Sequence, residues 1–126
     1  MKKLFLIVCI ILISACSQSS DDKRLIDCER TGLINKSVRM VLQADKDNDT
    51  QMRDLAVCFG VEVYEADNKS LKEIANSEAK EKDFMLKTLM YCQNKLKNIS
   101  DTDFAIMAKK ALKATEFAKS HNSCFE

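Results

Sequence analysis

The 126-residue chain has no proline, no tryptophan and only two glycines. An all-β domain turns often, and turns draw heavily on Gly and Pro. Their scarcity therefore points to helices. The chain also lacks a charge excess: 20 Lys and Arg stand against 19 Asp and Glu, a formal charge of +1. That balance excludes a strongly basic nucleic-acid binder, so no nucleic acid is expected as a partner. With 46% apolar residues, intrinsic disorder is excluded as well. The length suits one domain rather than two.

The amino end is an address. Lys2 and Lys3 precede an apolar run from Leu4 to Ile13, followed by Ser14, Ala15 and Cys16 and the polar stretch from Ser17 to Asp22. A basic start, a short apolar core and small residues at its end describe a secretory signal. The stretch from Leu4 to Cys16 is 13 residues, short of the roughly 20 a membrane-spanning helix needs. Ile13-Ser14-Ala15-Cys16 resembles the lipobox of bacterial lipoprotein precursors. The resemblance implies cleavage before Cys16, with diacylglycerol and an N-acyl chain on Cys16. It implies no other cofactor. Removal of Lys2 and Lys3 with residues 1–15 turns the formal charge from +1 to −1. Ser17, in place of Asp, resembles the outer-membrane class, which places the protein in the bacterial envelope facing the periplasm. Residues 16–24 are expected to form a lipidated tether, and residues 25–126 a single helical domain.

Cys9 falls in the signal and Cys16 carries lipid, leaving Cys28, Cys58, Cys92 and Cys124. In an oxidising compartment an even set implies two disulfides. Zinc is disfavoured because no two of the four are close in sequence. The apolar periodicity gives an all-α fold, a small four-helix bundle. Its first segment covers about Asp22 to Gln43; Gly32 weakens its middle, and a helix starting only after Thr31 is the alternative. The second runs from Thr50 to Ala66, with Met52, Leu55, Ala56, Phe59 and Val63 on one stripe. Val57 to Tyr64 would also suit a strand, which would have nothing to pair with. Ser70 is expected to cap a short third piece. A long helix from about Lys80 to Lys97 carries the seam Met85, Leu89, Cys92, Leu96 and Ile99. Ser100 caps the last helix, whose inner face is Phe104, Met107, Ala108, Ala111, Thr115 and Ala118.

The cysteine pairing follows from this arrangement. In an up-down-up-down bundle the first helix starts, and the last ends, at the same pole. Cys28 then meets Cys124. Cys58 and Cys92 are central in neighbouring antiparallel helices. The alternatives fail by register: a turn near Asp47 sets Cys28 opposite Ala66, and a turn near Ser100 sets Cys92 opposite Ala108. A disulfide needs Cα atoms within about 7 Å.

The motifs of chemistry are sparse. Asp45, Asp47 and Asp49 have the spacing that opens an EF-hand calcium loop, but Thr50 and Ala56 replace its Gly and bidentate Glu. A solvated turn is the expectation, and no metal site. His121 is alone in a polar tail and is expected to be exposed. Glu62/Glu65 and Glu78/Glu81 read as solvated helix surface. No phosphate loop, His-Glu metal motif or nucleophile elbow is present, so no catalytic residues and no enzyme are expected. Charge is nevertheless uneven. Asp45 to Asp67 holds seven acids and two bases, whereas Lys69 to Lys97 holds seven bases and four acids. Glu62, Glu65 and Asp67 are the expected contact residues for a cationic protein partner. In size, export, helix content and cysteine number the chain resembles helical periplasmic immunity proteins against type VI secretion amidases. That resemblance implies a non-catalytic binding module, an immunity or inhibitor protein. An accessory lipoprotein of an envelope or secretion assembly is the alternative.

Overall fold

The computed structural model describes the backbone of residues 2–125 and the side chains of residues 21–125. Its described residues form an all-α fold without strands. The elements are α1 (Lys2–Lys46), α2 (Thr50–Glu65), α3 (Asn68–Ala75), α4 (Glu78–Leu96), α5 (Asp101–Ser120) and a final 3₁₀ turn (Asn122–Phe125). No helix among the described residues is long and apolar enough to cross a membrane. The lipobox Ile13-Ser14-Ala15-Cys16 lies outside the residues whose side chains are described.

Each helix start has a local cause. The turn after α1 is made by Asn48 in the left-handed region (φ 53°), and Asp49 then accepts the Met52 N–H at 3.0 Å. Ser77 and Ser100 cap α4 and α5 by accepting the N–H of Lys80 and Asp103. The cap of α3 is Asp67 rather than the expected Ser70. Its carboxylate accepts both the N–H and the hydroxyl of Ser70, at 2.8 and 3.1 Å, and an ionised acceptor outcompetes a serine two residues inside the helix.

The first segment also departs from expectation. Helix α1 runs through Gly32 without a break, because one glycine costs a helix only about 1 kcal/mol and the adjoining Leu33 and Ile34 are buried in the core; a Cβ at Gly32 would stand at ordinary contact distance, 3.4 Å, from Phe125 Cζ. Asp21 to Arg24, within the residues expected to form the tether, are helical and continuous with the rest of α1. Asp22 there pairs with Lys72 of α3 at 2.8 Å.

The core explains why Val57 to Tyr64 looked strand-like. Helix α2 is central and packs against α1, α4 and α5. On one side Phe59 and Val63 join Ile26, Leu33, Ile34, Leu71, Ile74, Ala114 and Ala118. On the other, Cys58 and Val61 join Cys92 and Met107. A helix covered on both sides is apolar nearly all round and loses its two-faced pattern. Helices α1 and α2 approach closely at Gly60, where a Cβ would fall 2.5 Å from Ser37 Oγ; that hydroxyl donates to Ala56 O at 2.7 Å. On α5 the fully buried small residues are Ala114 and Ala118, while Ala108 and Thr115 are only half-buried.

Both disulfides form as the register argument requires. Cys28–Cys124 has a Cα–Cα distance of 5.5 Å and Cys58–Cys92 one of 5.8 Å.

Candidate functional site

The acidic residues expected to meet a partner are largely occupied within the chain. Glu62 pairs with Lys95 of α4 at 3.5 Å, and Glu65 with Lys110 of α5 at 3.1 Å. Asp67 starts α3, and the Ser70 N–H and hydroxyl hold its carboxyl below the usual carboxylate range. Glu62 is only half-exposed. The charge separation seen along the sequence is thus partly cancelled in space. Such exposed pairs add little stability, but they leave these acids less available to an incoming cation.

Immediately beside them is a buried cation that the sequence reading missed. Arg30 is 7% exposed. Its Nη1 hydrogens are shared among Val63 O, Tyr64 O and Ala66 O at 2.9, 2.8 and 2.8 Å, and Nη2 donates to Asn68 Oδ1 at 2.8 Å. The Phe117 ring lies 6.0 Å away. The last carbonyls of a helix have no partners within it, and here one guanidinium satisfies them. Burial pulls the Arg30 pKa down, opposed by Asp27, Tyr64 and Asp67. Arginine remains charged in any case. The available clue was an arginine one turn from both Ile26 and Ile34, inside an apolar row.

A cleft of about 660 Å³ opens between α1, α4 and the 3₁₀ turn, lined in part by Glu29, Lys36, Arg39, Glu81, Asn122 and Phe125. Lys36 pairs with Glu81 at 3.1 Å. Glu29 Oε1 is buried and has no hydrogen-bond partner among the described residues. Burial, then the hydrogen bond and the charge of Glu81, raise the Glu29 pKa to about 8, against a smaller opposing pull from Lys36. Two carboxylates in contact cannot both stay ionised, so Glu29 keeps its proton and donates it to Glu81. The Glu81 carboxyl is correspondingly held below its usual range, first by that bond and then by Lys36. Glu81 is therefore not plain solvated surface, as expected of it, whereas Glu78 is exposed and only loosely paired with Lys82 at 3.8 Å.

His121 is not free in a tail. Its ring stacks on Phe117 with centroids 4.1 Å apart, and Nδ1 donates to Phe117 O at 2.8 Å. Nε2 is 3.7 Å from Asp27 Oδ2. The histidine closes the end of α5 next to the Cys28–Cys124 bond. In the Asp45 to Asp49 turn, Asp47 accepts from Gln43 and Asp49 caps α2. No cluster of three His, Cys, Asp or Glu side chains able to hold a metal ion occurs among the described residues. No protein-family model matches the chain, and neither a curated protein nor a solved structure is similar enough to match it.

Proposed function

We propose that the chain is an exported lipoprotein of the bacterial envelope, held on the outer membrane through lipid on Cys16 and facing the periplasm. There its helical body binds another protein without catalysing a reaction, as an immunity or inhibitor protein does. The observation that carries this reading is that all four cysteines of the body are in disulfides. Such bonds persist in an oxidising compartment and are rare in the cytosol. They agree with the export pattern of Lys2 to Cys16. A body stapled at its pole and through its middle also offers a partner a fixed surface, which limits the ordering cost of association.

Mass spectrometry of the mature amino terminus tests the anchor. The expected terminus is Cys16 carrying diacylglycerol and an N-acyl chain, and Cys16→Ser should leave the precursor unprocessed. An unmodified terminus at any other residue defeats the lipoprotein reading.

A further inference from the structure

The outer side of α4 carries a row of its own. Cys92 is the one fully buried residue of this helix. Facing solvent are Ala79, Asp83, Leu86, Met90, Gln93 and Lys97, all exposed, with Leu86 at 60% and Met90 at 61%. The steps between them are four, three, four, three and four. That alternation keeps a row on one helix face and is the spacing of a seam between two paired helices. The inner row of α4, which includes Met85, Leu89, Cys92 and Leu96, has the same spacing and packs in the core. The outer row has nothing against it among the described residues.

We propose that this face is a self-association surface, and that its occupant is the same face of a second copy of the chain, running antiparallel. About a twofold axis between Leu86 and Met90, Leu86 meets the second copy's Met90, Asp83 meets its Gln93 and Ala79 meets its Lys97. Each pairing is complementary. Two apolar side chains leave water together at the centre. The Gln93 amide donates to the Asp83 carboxylate, which has acceptor capacity beyond its 2.9 Å pair with Lys87. The small Ala79 leaves room for the Lys97 side chain, whose ammonium reaches Glu78 beside it. Lys97 has no ion pair among the described residues, and Glu78 is held only at 3.8 Å by Lys82.

The alternatives complement the row less well. A parallel pair would set Asp83 against Asp83 and Lys97 against Lys97. A lipid surface would bury the Asp83 side of the row without a donor for its carboxylate. The row is about 27 Å long. One helix face of that length offers less than the roughly 800 Å² per partner of a standard interface, so the pair is reversible and is best caught covalently. The inference goes beyond the function proposed above and does not depend on it.

The test places photo-reactive benzoylphenylalanine at position 86, 90 or 112 of the full chain in the cells that produce it, and sequences the adducts. Covalent dimers are expected from 86 and 90 and not from 112 on α5. The adduct from position 86 should fall on the tryptic peptide Thr88–Lys95 of the second copy. Leu86→Glu with Met90→Glu, read by cross-linking from position 83, should abolish the dimers while the helical circular dichroism is unchanged, because both side chains are already in water. Lys97→Glu alone should lower the dimer yield from position 90 by about fivefold, and adding Glu78→Lys should restore it. A partner other than this chain would gain nothing from that swap. An adduct from position 86 on its own counterpart's peptide Asp83–Lys87 marks a parallel pair and overturns the proposal. So do monomers alone, adducts to lipid or to another protein, or a charge swap that fails to restore the yield.

Discussion

At the scale of the residue, Arg30 is a costly side chain to lose. Its removal takes the guanidinium donor from Tyr64 O and Ala66 O, leaves Val63 O with the Ala66 N–H alone, and frees the start of α3. Arg30→Ala should lower the unfolding free energy by about 3 kcal/mol, read from urea denaturation. Arg30→Lys should recover little of it, because an ammonium lacks the planar fork that reaches four oxygens. Charged residues in an apolar row are hard to interpret from sequence, since their acceptors are distant: those of Arg30 lie on and beyond α2. The same blindness affects Glu62 and Glu65, whose lysines come from α4 and α5. Caps are legible because their partner is three residues away, as at Asp49 and Ser100.

At the scale of the element, the pair Glu29 and Glu81 joins two helices that scarcely touch otherwise. Helix α4 leans on α2 and α3. Its amino-terminal half reaches α1 through Glu81, which meets Lys36 and the Glu29 proton. Folded Glu29 holds its proton up to about pH 8, and the unfolded chain releases it near 4.5. Between those values the folded state binds more protons, so this group's contribution falls as pH rises. Glu81 has the opposite sign: its lowered pKa favours folding above the unfolded value, an advantage lost on acidification. Glu29→Gln keeps a donor toward Glu81 and cannot ionise. It should flatten the decline in stability across that window and leave the variant the more stable protein at its alkaline end. Thermal melts over a pH series check this; an unchanged slope would place the Glu29 pKa in the ordinary range. Helix positions were legible from apolar spacing, but Gly32 misled, because the cost of one glycine in a helix is small beside the burial of Leu33 and Ile34 next to it.

At the scale of the whole molecule, the two disulfides are nested, with sequence separations of 96 and 34. The chain-entropy model assigns about 5 kcal/mol to the outer loop and about 4 kcal/mol to the inner one, less any overlap between them. Cys58 and Cys92 are fully buried, whereas Cys28 and Cys124 are half-buried. Graded reduction should therefore open Cys28–Cys124 first, as followed by alkylation and peptide mapping. Simultaneous opening would mean that reduction waits for global unfolding. The pairing was legible because helix length and turn position fix which cysteines share a level. Adjacency was less so: α2 touches three long helices, an arrangement that no single periodicity announces.

The outer bond also changes what it means to cut this chain. From residue 28 to residue 124 the polypeptide is a covalent ring, because the two cysteines close it at one pole. A protease that nicks the Asp47–Asn48 turn leaves both pieces tied together, and the ring becomes a linear molecule with new ends far from the old ones. By helix length that turn lies about 27 Å from Cys28. The same turn is where the chain could be reopened as a circular permutant, or carry a label, at the pole opposite its natural ends.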